Sequence, residues 1–173
     1  MTRDELARLL DHSVLKPEAV EQDILAGAGV VRRWRIGFFC VQPCWVRTAA
    51  AALAGTDARV VTVVGFPHGC DRVDVKARAA APAVAQGPAE IDMVISYGAL
   101  KSGQAAVVAA DIEAVVRAAG EARVKVILET VALTDVEKRL ACRLAVDRGA
   151  AFVKTSTGFH PAGGATPADV RLM

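Results

Sequence analysis

The sequence predicts an α/β protein built as a TIM (β/α)8 barrel, with about six of the eight β/α units written in its 173 residues. Three observations carry that reading. Short apolar runs alternate with longer helical patterns from end to end, which is the signature of parallel βαβ units. No GxGxxG follows an early strand, so the dinucleotide fingerprint of an open doubly wound sheet is missing. The strand candidates also carry polar residues at their ends, Asp11, Cys40, Asp92, Glu129 and Lys154 in turn. Chemistry contributed from the ends of many strands is the habit of a barrel.

Taken in order, Thr2 with Glu5 forms a capping box that starts a first helix through about Leu10. Strands are expected near Leu10–Leu15, Gly37–Val41, Val60–Gly65, Ile91–Ile95, Val124–Glu129 and Phe152–Thr155. Helical segments fall between them near Glu18–Val31, Pro43–Leu53, Asp71–Gln86, Ala105–Ala119 and Asp135–Arg148. Thr134 with Glu137 is a second capping box, and Gly149 suits the stop of that helix. Pro82 lacks the N–H that a helix interior needs, so it kinks or weakens the Asp71–Gln86 segment.

Composition bounds the function classes. Hydrophobic residues make up 53% of the chain but aromatics only 5%, so the core is built from Ala, Val, Leu and Ile. The net charge is +2 with no basic run, which argues against nucleic acid as a partner. Cys40, Cys44, Cys70 and Cys142 form no CxxC and no Cys/His cluster at zinc spacing, so a metal site is not expected and the thiols read as reduced. The opening MTRDELARLL mixes both charge signs, unlike a signal peptide. No stretch approaches the roughly 18 apolar residues of a membrane span, and the chain reads as soluble and cytoplasmic.

Period-two alternation locates the chemistry. In VKVILE, Lys125, Ile127 and Glu129 share one strand face, while Val124, Val126 and Leu128 share the other and pack on helices. In EIDMVI, Ile91, Met93 and Ile95 form the apolar set, which turns Asp92 inward. Phe152, Lys154 and Ser156 share a face in FVKTS, as do Asp11 and Ser13 in LDHSVL. One carboxylate and two lysines therefore converge, either as a paired structural network or as an active site. Lys154 ends an apolar run (Ala151, Phe152, Val153), where burial disfavours the ammonium form and drives a lysine toward the neutral amine of Schiff-base chemistry. Lys125 with Glu129 also reads as a barrel-filling ion pair, and Cys40 as a small packed thiol.

The segments LDHSVLKP, CVQPCWV, VVTVVGFP, EIDMVISYGALKSG, VKVILET and FVKTSTGF…GGATPADVRLM resemble those of the deoxyribose-phosphate aldolase family, in that order and across essentially the whole chain. The resemblance implies a (β/α)8 barrel and a class I aldolase. Such an enzyme cleaves the small phosphosugar 2-deoxy-D-ribose 5-phosphate to glyceraldehyde 3-phosphate and acetaldehyde, with no metal or organic cofactor. By the same resemblance, Lys154 forms the Schiff base and Asp92 shuttles protons. Lys125 belongs to their polar network. Asp11 and Cys40 line the substrate pocket, and Thr157 with Gly158 help hold the substrate phosphate, where backbone N–H groups can face an anion. A homodimer is compatible with the resemblance.

Against that pattern the chain, a single domain over 1–173, stops inside ATPADVRLM, where Thr166 caps and Pro167 opens a helix. Barrels of this kind usually run to about 250 residues, so a C-terminal part is expected to be missing here. With it would go the seventh strand's second catalytic lysine and the phosphate loops after strands seven and eight. Two alternatives follow: a catalytically impaired fragment, or a related class I aldolase acting on another phosphosugar. Ser96 stands where the family has Asn, His68 where Leu is common, and Pro82 and Pro88 flank the Gln86–Gly87 turn.

Overall fold

A computed structural model describes residues 1–84 and 89–173, so the expected Gln86–Gly87 turn and Pro88 lie outside the described residues. The chain divides into two compact units, Met1–Val63 with Pro82–Glu90 and Val64–Ala81 with Ile91–Met173.

The first unit opens with α1 (Arg3–Ala7), whose Thr2–Glu5 capping box forms as the sequence predicts. Strands β1 (Asp11–Val14), β2 (Phe38–Val41) and β3 (Arg59–Val64) run parallel in that order. Between them lie α2 (Glu21–Trp34) and α3 (Val46–Ala52). The start of α2 falls three residues later than expected because the Asp23 carboxylate accepts the Val20 N–H at 3.0 Å and sets the cap there. Ile24, Ala28 and Val31, one stripe of α2, pack with Phe39, Val41, Val46, Ala49, Leu53 and Val60 into an apolar core. Gly27 sits in that stripe because a Cβ there would lie 2.8 Å from the Phe39 ring and 2.9 Å from Val14. The register pairs Asp11 with Phe38 and Ser13 with Cys40, so Asp11, Ser13 and Cys40 share the sheet face turned away from α2. Asp11 opens β1 instead of ending it, which corrects its place among the polar strand ends: the strand runs on through Val14, and the apolar residues follow the acid.

The second unit contains α4 (Val73–Val84) through Ala81, then β4 (Glu90–Val94) from Ile91, α5 (Tyr97–Lys101), α6 (Ala105–Ala119), β5 (Arg123–Ile127), α7 (Asp135–Asp147), β6 (Phe152–Lys154) and α8 (Pro167–Leu172). The pairing of β5 with β6 is parallel, Lys125 opposite Phe152 and Ile127 opposite Lys154. The Ile95 N–H reaches the Ile127 carbonyl at 3.1 Å just beyond the end of β4. Every residue of β4 is buried, as expected for a strand covered on both faces. The periodicity does not foresee helix α5, since five residues are too few to display a 3.6-residue pattern. Among the described residues no helix is long and apolar enough to cross a membrane.

Helix α8 docks through polar groups. Thr166 caps it, and Asp169 accepts from Lys138 of α7 at 2.7 Å and from the Thr130 hydroxyl at 3.2 Å. The hydrogen bond from Lys138 is the largest influence holding the Asp169 carboxyl below its usual range, with the Thr166 hydroxyl next. A depressed folded value contributes stability that is present above the unfolded value of 3.8 and lost as the pH falls through the folded one. Thermal melts between pH 7 and 2 are therefore expected to show an acid limb that is shallower in Asp169→Asn, with the variant about 1–2 kcal/mol less stable at neutral pH. An unchanged acid limb would remove this docking role.

Candidate active site

Strand β4 turns Ile91 and Met93 into the apolar layer and so presents Asp92 on the opposite face, as the alternation predicts. The Asp92 side chain is fully buried and is shared between two cations. Lys125 Nζ donates to Oδ1 at 2.9 Å, and Lys154 Nζ donates to Oδ2 at 2.6 Å. Exposure rises along the three side chains, 0% for Asp92, 14% for Lys125 and 29% for Lys154. Lys154, at the C-terminal end of β6, is thus the amine a solvent-borne molecule meets first. The expectation of a lysine sealed in an apolar strand end is corrected here. Its strand is flanked by β5 alone among the described residues, and the amine rests on a carboxylate. Lys125 is steadied from a second side by the Phe152 ring, 5.8 Å from its Nζ and opposite it in the register.

The segment after β6 is tied down by Glu129. The chain leaves β5 through a left-handed turn at Glu129 (φ 58°), which ends the strand alternation and swings the carboxylate to a buried position. There it accepts a short hydrogen bond from the Thr157 hydroxyl, and the Thr157 N–H points at both oxygens from 3.4 Å. Glu129 thus engages Thr157, and Lys125 engages Asp92, in place of the Lys125–Glu129 ion pair the spacing suggested. The Phe159 N–H in turn donates to Thr157 Oγ1 at 3.0 Å. The Thr157 amide therefore faces a carboxylate, whereas Gly158, left-handed at φ 80°, gives its N–H to no partner among the described residues.

A pocket of about 350 Å³ is lined by His68, Gly69, Cys70, Ser96, Tyr97 and Gly98. Gly69 (φ 67°) is required there, since a Cβ would fall 2.0 Å from the Ile95 carbonyl oxygen. The Tyr97 phenol is pushed up, first by burial and then by the charges of Glu129 and Cys70. Asp11 and Cys40 belong to the first unit, and Cys40 is fully buried. Among the described residues no three His, Cys, Asp or Glu side chains could hold a metal ion together.

A family model described as a DeoC/LacD family aldolase matches residues 4–173. The chain belongs to the DeoC/LacD aldolase family. The deoxyribose-phosphate aldolase of Enterococcus faecalis is 52% identical to it over 170 residues, which cover 98% of this chain and 77% of that protein. A crystal structure from Coccidioides immitis superposes with a TM-score of 0.95 at 36% identity, covering 99% of this chain and 68% of the other. The structure of QR15, an aldolase, gives 0.91 at 33% identity over 97% and 75%. The DeoC/LacD chain accordingly has the (β/α)8 barrel fold class, with six β/α units among the described residues.

Two groups of this aldolase escaped the alternation argument. The Glu129–Thr157 bond follows a left-handed turn that no strand pattern announces. A buried pair, Lys76 of α4 with Asp111 of α6 at 2.6 Å, lies on helices whose charges ordinarily face water. The signal was present in the spacing: Asp111 falls on the buried stripe Val108, Ile112, Val115 of α6. The Glu129 anchor has a direct test. Thr157→Val keeps the shape but strands a buried carboxylate, and should cost about 1–3 kcal/mol in urea unfolding while Thr157→Ser costs little. A wild-type midpoint for Thr157→Val would show that the anchor does not hold the segment.

Proposed function

We propose that this chain is a class I aldolase that reversibly cleaves 2-deoxy-D-ribose 5-phosphate to D-glyceraldehyde 3-phosphate and acetaldehyde through a Schiff base on Lys154. The observation that supports this most directly is one buried carboxylate, Asp92, hydrogen-bonded at once to a deeper lysine at 2.9 Å and an outer lysine at 2.6 Å. The names of relatives such as the Enterococcus faecalis enzyme supply the substrate.

The chemistry follows from the arrangement. The neutral Lys154 amine attacks C1 of the open-chain aldehyde, and the carbinolamine loses water to give an iminium. A base removes the C3 hydroxyl proton, the C2–C3 bond breaks, and its electron pair moves into the iminium nitrogen. Glyceraldehyde 3-phosphate leaves and an enamine remains. Protonation at C2 and hydrolysis release acetaldehyde and restore the amine. Asp92 is placed to accept the Lys154 proton at Oδ2 and return it to the departing hydroxyl, a general acid–base role. Lys125 keeps Oδ1 occupied and supplies the fixed positive charge beside the developing iminium. Gly158, with an open amide on the segment after β6, is the better candidate for the substrate phosphate, and Thr157 shapes that segment from Glu129. The family resemblance adds Asp11 and Cys40 to the substrate-lining groups, and the complete burial of Cys40 suits a packing role there.

Incubation with acetaldehyde and borohydride should leave an ethyl group on Lys154, read by peptide mass spectrometry. Label on Lys125 instead, or none, would reject the assignment. Asp92→Asn should lower acetaldehyde release from 2-deoxyribose 5-phosphate by about a hundredfold or more, the usual size of a lost acid–base group.

A further inference from the structure

The buried pair Lys76–Asp111 takes no part in the chemistry above, yet it is the most completely enclosed ion pair among the described residues, with side chains 0% and 1% exposed. Its remaining bonds go to one place. Lys76 Nζ donates to the Val94 carbonyl at 2.9 Å, and Asp111 Oδ2 accepts the Ser96 N–H at 3.3 Å. These two backbone groups bracket Ile95, whose own N–H reaches Ile127 of β5 at 3.1 Å. The end of β4 is thereby fixed against β5, and these two strands carry Asp92 and Lys125.

The surroundings are shaped around this pair. A Cβ on Gly65 (φ 66°) would lie 2.8 Å from Lys76 Cε, so the turn after β3 closes directly on the lysine stem. Asp111 Oδ1 is buried with no partner among the described residues. Burial is the largest influence on the Asp111 carboxyl and pushes it up, against the pull of Lys76. An incompletely satisfied buried pair is a poor source of stability, because desolvation offsets much of the attraction. What this pair does supply is two directed bonds to the backbone two and four residues beyond Asp92.

We infer that Lys76 and Asp111 are positioning residues for the reaction, holding the end of β4 so that Asp92 sits between Lys125 and Lys154. The inference rests on the aldolase reading of that site. It is tested with the double variant Lys76→Met/Asp111→Leu, which removes both charges together and leaves no uncompensated buried ion. The expected result is a Tm at or above wild type, with kcat for acetaldehyde release at least about tenfold lower, since a misplacement of the order of 1 Å can cost about a hundredfold. KM should stay within about twofold, because binding groups are untouched. The rate of borohydride trapping on Lys154 should fall in parallel with kcat.

A purely structural pair predicts instead that activity returns with Tm, and a double variant with wild-type kcat and trapping rate overturns the inference. Should the double variant not fold, Asp111→Asn decides. It keeps the volume and an acceptor for Ser96 but weakens the hold on Lys76. A lowered kcat at constant KM supports positioning, and a wild-type kcat overturns it. Wild-type protein that is not labelled on Lys154 would mark failure of the aldolase reading, a result distinct from normal trapping in both proteins.

Discussion

The sharing of one carboxylate between two lysines is the constraint around which the second unit is organised. A fully buried Asp92 is tolerable only with charged partners at hydrogen-bond distance, and it has them at 2.9 and 2.6 Å. Meeting that condition requires three strands in a fixed register. β4 must be buried throughout so that the carboxylate is enclosed. β5 must bring Lys125 level with it, and β6 must end at Lys154 so that the outer amine meets solvent. Of the three charges, one lysine is in excess. In the proposed reaction the proton that passes from Lys154 to Asp92 stays within the triad, so its net charge of one positive unit does not change at that step.

This triad was legible because strands are strict about parity. Once Ile91, Met93, Val124 and Val126 are assigned to the helix-packed face, Asp92 and Lys125 have one direction left. Parity stops applying where the backbone leaves the strand. Counting from Lys125 puts Glu129 on the same strand face, but its left-handed φ breaks the count, and its carboxylate goes to Thr157. The family resemblance leaves the Thr157 amide open to an anion. A side chain 28 residues away in sequence occupies it, and such a contact has no local signature. Asp11 reads as one of the polar strand ends, whereas β1 runs from it through Val14 and makes it the strand's first residue.

Charged residues in helices posed the opposite problem. Lys76 and Asp111 both belong to alanine-rich helices, and a charge in such company is normally written off as solvated. Periodicity contradicts that habit for both. Lys76 precedes buried Ala80 and Ala83 at helical spacing, and Asp111 lies between buried Val108 and Val115. Two opposite charges on the core stripes of neighbouring helices point to a buried pair, although spacing alone could not say that they meet each other or reach the end of β4.

The two kinds of anchor differ in what they hold. The groups proposed to make and break bonds stand on strands, whose positions are fixed by ladder bonds and by the bracket on Val94 and Ser96. The segment proposed to meet the phosphate end of the substrate is a turn, held by the Glu129 carboxylate through Thr157, closed by the Phe159 N–H and flanked by the edge contact of Phe159 with Phe66. Loss of a ladder or bracket bond changes the geometry of the reacting atoms, which acts on the chemical step. Loss of the Glu129 anchor frees a loop, which acts on ground-state binding and leaves the Asp92–lysine distances alone. Placing rigid chemistry on strands and adaptable recognition on the turn beyond them is what lets the barrel vary one without disturbing the other.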